Sequence, residues 1–237
     1  MRTLTRATRT GVLAATAGAL LFTGVAAQGT ALAAPQAPKA PKAKLTVQDY
    51  RAFLKKGGGS SAKLLKSFDR LPQAKQQKFV GYLQSAAVQK AFDAGLGGYV
   101  TTSKRNWEDY NKDVRFTGDV RAVTRSDKAG RHTTLTFTAT ESIYNLPVIS
   151  HKSVLSYTYR PGVGYKSPKF KSSLTNLNGA FAVTRGAADS VRTSSGVWGV
   201  ATWKYTPLYK SAGTTPIVKT QTTLGTSAKF SARLANR

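Results

Sequence analysis

Val114-Arg115-Phe116-Thr117-Gly118-Asp119-Val120-Arg121-Ala122-Val123-Thr124, then Ser126-Asp127-Lys128-Ala129-Gly130, then Thr134-Leu135-Thr136-Phe137-Thr138-Ala139-Thr140, is the stretch that decides the fold. Side chains of a strand alternate between two faces, so a period of two marks a half-buried sheet. Val114, Phe116, Val120 and Ala122 fall on one face, and Arg115, Thr117, Asp119 and Arg121 on the other. In the second run Leu135, Phe137, Ala139 and Ile143 share a face opposite Thr134, Thr136, Thr138 and Thr140. The Asp-Lys-Ala-Gly segment between them is turn chemistry, and the whole predicts a β-hairpin with one apolar side. Further strands are predicted near 152–160, 178–185, 196–206 and 216–232, with Pro161-Gly162 and Asn178-Gly179 as turn signals. No helical pattern intervenes. The strands of residues 99–237 therefore pair antiparallel, as a β-sandwich or curled β-sheet. Residues 197–205 are partly apolar on both faces, which predicts a central strand.

Upstream, residues 45–98 carry the helical period. Thr46 and Asp49 have the spacing of a capping box, and Val47, Tyr50, Phe53 and Leu54 form one apolar stripe. Gly57-Gly58-Gly59 ends that helix, and Ser60 or Ser61 is positioned to cap the next, with Leu64, Leu65, Phe68 and Leu71 as its stripe. Pro72 stops it and opens a third helix carrying Phe79, Val80, Tyr82 and Leu83. Ser85 caps a short fourth helix with Val88 and Phe92. The expected fold class is α+β: three to four short N-terminal helices followed by an antiparallel β domain.

Residues 1–33 have the layout of a secretory signal peptide. Arg2, Arg6 and Arg9 precede an apolar run from Gly11 to Val25, and Ala31-Leu32-Ala33 supplies small residues for a peptidase. Cleavage after Ala33 is preferred and after Ala27 is the alternative. The expected location is extracellular. Residues 34–44, rich in Pro and Lys and lacking large apolar side chains, are expected to be an extended linker.

The formal net charge is +26, and loss of Arg2, Arg6 and Arg9 leaves +23 (26 − 3). A field of that size draws in polyanions. There is no cysteine, so disulfides and thiol chemistry are excluded, and two histidines leave few ligands for zinc. No cofactor or metal motif is present. Glu108, Asp109 and Asp113 are candidate paired carboxylates, and His132 with Glu141 and Arg131 is a candidate acid–base set. His132 and His151 both sit beside cations, which predicts exposed turn positions. Basic and aromatic residues interleave at Tyr165, Lys166, Lys169 and Lys171 and again at Trp203, Lys204 and Tyr205, a pattern in which rings stack while lysines meet phosphate. Arg115, Arg121 and Arg125 are expected to line an outward strand face beside the threonines.

Three functions follow as expectations. The first is a secreted, strongly basic, non-enzymatic binding protein with an anionic partner: a wall polymer, an acidic protein surface or nucleic acid. The second is a membrane-active toxin or antimicrobial protein acting on an anionic membrane surface through residues 46–56 and 60–71. The third is a secreted hydrolase, a nuclease or glycosidase.

Overall fold

The structure is a computed structural model that describes residues 42–94, 99–102 and 106–237. The signal peptide with its cleavage site, and most of the Pro/Lys-rich segment, lie outside the described residues. So do Gly95, Gly97 and Gly98, the expected helix breakers.

Four helices come first: α1 (Val47–Lys56), α2 (Gly59–Asp69), α3 (Gln73–Leu83) and α4 (Ala86–Ala94). The capping box is formed. Asp49 N donates to Thr46 Oγ1 at 3.1 Å, and Thr46 N donates back to Asp49 Oδ2 at 3.4 Å. Ser85 Oγ accepts from Val88 N at 3.3 Å at the start of α4. α2 departs from expectation. Its N-cap is Gly58, and Ser60 and Ser61 lie inside the first turn. Ser61 packs closely on Gly57, where an added Cβ would stand 2.6 Å from Ser61 Cβ, so that position requires glycine.

The strands are β1 (Val100–Thr101), β2 (Asn106–Asp109), β3 (Val114–Asp127), β4 (Gly130–Ile143), β5 (Leu146–Arg160), β6 (Gly164–Asn176), β7 (Phe181–Arg192), β8 (Val197–Pro207), β9 (Ile217–Gly225) and β10 (Phe230–Asn236). They form two five-stranded antiparallel sheets, ordered β2-β3-β4-β5-β6 and β1-β10-β9-β8-β7. The β3–β4 hairpin has the expected register, with Phe116 opposite Glu141 and Val120 opposite Phe137. β8 lies between β7 and β9, an interior position that suits its two apolar faces. Four strands are not read from the sequence: β1 and β2 are too short to show alternation, β6 reads as a run of cations and rings, and a turn at 226–229 divides β10 from β9.

The sheets face each other. Ser153 on β5 bonds Thr223 on β9 at 2.7 Å, and Tyr157 OH donates to Thr226 O at 2.9 Å. The helices share this core. Tyr50, Phe68 and Phe79 form an edge-packed aromatic knot with centroids 5.2–5.7 Å apart. Tyr50 OH donates to Leu177 O at the end of β6. Phe92 of α4 stacks on Phe116 of β3 at 5.2 Å. One buried cluster runs from Leu45 through the helices to Leu234. Burying rings of this size removes enough apolar surface to hold helices on sheets, at about 25 cal/mol per Å². The end of the Pro/Lys-rich segment is pinned too, since Lys210 N donates to Lys42 O and Ser211 N to Ala43 O.

Candidate functional site

Strand register decides which cations meet. Arg121 on β3, Thr136 on β4, Val154 on β5 and Lys171 on β6 are successive neighbours in one row across the first sheet. The next rows are Val123-Thr134-Ser156-Lys169 and Arg125-His132-Thr158-Lys166 on one side, and Asp119-Thr138-Lys152-Ser173 on the other. Beyond these lies Thr117-Thr140-Ser150-Thr175, with Arg115 at the far end of β3. Residues of one row point to the same side, here away from the second sheet. The result is a hydroxyl-paved face flanked by two files of cations, one on β3 and one on β6, about 14 Å apart at roughly 4.8 Å per strand. Hydroxyls are paired within the paving: Thr134 Oγ1 with Ser156 Oγ at 3.1 Å, and Thr140 Oγ1 with Ser150 Oγ at 3.2 Å.

The two files differ electrostatically. Arg115 is held by Asp109 at 2.6 Å, and Arg121 by Asp119 at 2.8 Å. The Arg115 guanidinium holds the Asp109 carboxyl below its ordinary range. Lys152, Lys166, Lys169 and Lys171 are exposed, and none forms an ion pair among the described residues. At the sheet edge a groove of ≈ 580 Å³ continues the lysine file, lined by Lys152, Lys171, Ser173 and Arg185. Arg185 is fixed there by donating to Ser172 O at 3.0 Å.

The rings paired with these lysines in sequence are elsewhere. Tyr165 is 5% exposed, Trp203 3% and Tyr205 0%. All three point between the sheets, so they offer no stacking surface to a ligand. The reason is strand parity. Lys204 points outward from the second sheet while Trp203 and Tyr205, its neighbours, point in. Lys204 is thereby on the opposite side of the sandwich from Lys169 and Lys171. The outward surface around it is more apolar, with Trp198, Val200, Val218 and Leu224 half-buried.

The hydrolase candidates do not assemble. Asp109 is paired with Arg115, and Asp113 accepts from the hydroxyls of Tyr82 and Tyr144 at 3.0 and 3.1 Å. His132 lies on the outward face, bonded to Asp127 at 2.9 Å and to Thr158 at 3.0 Å. Glu141 is nine residues further along β4 and faces inward, roughly 30 Å away at 3.4 Å per residue. Arg131 also turns inward, donating to Ser227 O. His151 corrects the expectation of an exposed turn: it is fully buried in β5 against Phe92, Trp203 and Tyr205.

Sequence reasoning misses the polar knot around that imidazole. Lys219, Glu141, Gln89 and Gln221 are all 0% exposed. Lys219 Nζ donates to Gln89 O at 2.7 Å and to Asn236 Oδ1 at 2.8 Å, between the rings of Phe92 and Tyr205. Gln89 Nε2 donates to Glu141 Oε2 at 2.8 Å. Burial pushes the Glu141 carboxyl up to about 7, against a smaller downward pull from the Gln89 hydrogen bond and the Lys219 charge. Burial, then Lys219, pushes His151 down to about 3. The only signal in sequence is the alternation Ile217-Lys219-Gln221-Thr223, which reads as a polar outward face and is in fact the buried one. Among the described residues no group of acids and histidines has the arrangement of a metal site. No helix among them is long and apolar enough to cross a membrane. The apolar stripes of α1 and α2, the basis for a membrane-active reading, are spent on Tyr50, Leu54, Leu64 and Phe68 in the core.

No protein-family model, curated protein or solved structure matches this chain.

Proposed function

We propose that this is a secreted binding protein, without catalytic activity, that engages a linear anionic polymer of the extracellular surroundings through the outward face of β3–β6. One observation carries the reading. Lys152, Lys166, Lys169 and Lys171 stand exposed on a hydroxyl-rich face, outside any ion pair among the described residues, with Lys171 and Lys166 in register with Arg121 and Arg125. Alternate residues on a strand are about 7 Å apart, so Lys169 and Lys171 meet successive charges of an extended chain. Threonine and serine hydroxyls between the files serve as donors to phosphate or sulfate oxygens. Among the described outward side chains of β3–β6 there is no Phe, Tyr or Trp, and Phe170 reaches only the edge groove from the inward side. A polymer read through its charged backbone, such as a wall polyphosphate, suits this face better than stacked bases. The buried acid Glu141 and imidazole His151 are sealed between the sheets, where a polymer does not reach.

The test is affinity chromatography on immobilised polyphosphate and on heparin at low salt. Retention that falls steeply with salt is expected, because each neutralised phosphate releases counterions. Passage through both columns unretarded at low salt eliminates the proposal.

A further inference from the structure

We infer that Lys219 and Asn236 are the two halves of an internal amide cross-link, formed by attack of the lysine amine on the asparagine carboxamide with release of ammonia. The two residues are direct register partners on the adjacent antiparallel strands β9 and β10. Paired residues project to the same side with Cβ atoms about 5 Å apart. Lys219 Nζ already rests 2.8 Å from Asn236 Oδ1. Cγ is one bond further on, so a small shift of the lysine chain brings Nζ to the roughly 3–3.5 Å of a near-attack pair.

The surroundings are those that chemistry needs. A lysine is nucleophilic only as the neutral amine, and removal from water favours that form. Lys219 is 0% exposed and flanked by Phe92 and Tyr205, with centroids 5.5 and 5.7 Å from Nζ. The proton it sheds needs an acceptor in the same dry space. Glu141, equally buried, shares Gln89 with it: the lysine binds the backbone carbonyl of Gln89 and the glutamate its side-chain amide. The second carboxyl oxygen, Glu141 Oε1, has no hydrogen-bond partner among the described residues. Burial holds that carboxyl near neutrality, at about 7, where it both takes and returns a proton. Asn236 Nδ2, the departing nitrogen, donates to Lys90 O at 2.9 Å, and the residue is exposed at the end of β10, which gives ammonia a way out.

The step balances without a co-reactant. The Lys219 ammonium swings from the Gln89 carbonyl to the Glu141 carboxylate, which lies on the other side of Gln89, and gives it a proton. The neutral amine forms the Nζ–Cγ bond. One proton passes from Nζ to Nδ2 as the Cγ–Nδ2 bond breaks and the nitrogen leaves as ammonia, which then takes the proton held on Glu141, restores the carboxylate and departs as ammonium. One lysine charge is lost and one ammonium released. The product ties β10 covalently to β9.

Mass spectrometry of the purified, folded chain tests this. The expected mass is about 17 Da below that of the sequence, for one ammonia lost in amide formation. Trypsin does not cut at an acylated lysine, so the peptide that would end at Lys219 should run on to Lys229 and carry Leu234-Ala235-Asn236-Arg237. Lys219→Met and Asn236→Ala should each restore full mass. Glu141→Gln, checked for folding by circular dichroism, should show full mass with native spectra. Full mass in the wild-type protein with a free tryptic end at Lys219 overturns the inference. So does a loss of ammonia mapped to any other residue. Neither result bears on polymer binding, which is read on a different face.

Discussion

The ring of Phe170 on β6 occupies the space a side chain would need at Gly199 on β8. A Cβ built at Gly199 would stand 2.5 Å from Phe170 Cε2 and 2.7 Å from Cγ. The contact sets how closely the two sheets approach at that point, and glycine is required there for space. Gly199→Ala should therefore destabilise the fold by about 1–3 kcal/mol, the usual cost of overpacking. Phe170→Leu should recover part of that loss in the double variant, since the two residues meet directly. Urea unfolding of the four proteins gives the cycle, and simple additivity would argue against the contact.

The cationic face makes a quantitative prediction. Replacing Lys169 and Lys171 together with Gln should reduce the slope of log affinity against log salt by about 1.4–1.8, at 0.7–0.9 for each phosphate no longer neutralised. Lys204→Gln, on the opposite sheet, should leave the slope unchanged. Equal losses from both variants would mean that net charge alone, and not this face, does the binding.

Stability against pH should show the buried pair. Glu141 has its folded value raised to about 7 from 4.5, so the native state binds the extra proton. Its contribution is full below about 4.5 and declines as pH rises toward 7. His151 has its folded value lowered to about 3 from 6.5, so the unfolded state binds the extra proton. Its contribution is full above 6.5 and is lost as pH falls toward 3. From 4.5 to 6.5 the two slopes oppose and a plateau is expected. The melting-temperature difference between Glu141→Gln and wild type should move in the variant's favour from pH 5 to pH 7, on top of a pH-independent offset from the missing cross-link, and His151→Gln should flatten the acid limb below pH 4.5. A Glu141→Gln difference that is constant with pH would show that the carboxyl does not titrate in this window.

At the first helix, Thr46→Ala removes the hydroxyl that accepts from Asp49 N and leaves that donor without its cap. The cost should be about 0.5–2 kcal/mol, with little change at Thr46→Ser. Thermal melts of the two variants separate the lost cap from a lost methyl.

Much of this is legible in the sequence because it depends on local rules. The capping box at Thr46 and Asp49 needs only a three-residue spacing. The β3–β4 hairpin needs only alternation and a turn. The file at Arg115, Arg121 and Arg125 follows from parity within one strand. Lys166, Lys169 and Lys171 stand out in the sequence, but in the wrong company: Tyr165, Trp203 and Tyr205 resemble partners because they are neighbours of lysines along the chain. A strand sends neighbours to opposite sides, so chain proximity separates what it seems to join.

The sequence by itself determined that helices precede strands, the β3–β4 hairpin, the absence of thiol chemistry and the excess of positive charge, since each is a property of composition or short-range spacing. Only the tertiary structure decided that Arg121 and Lys171, fifty residues apart, stand in one row, and that Lys219, Glu141 and His151 meet out of water. Those placements depend on which strands pair and in what register. Register is fixed by burial of the rings between the sheets, a collective outcome that no single stretch of chain encodes.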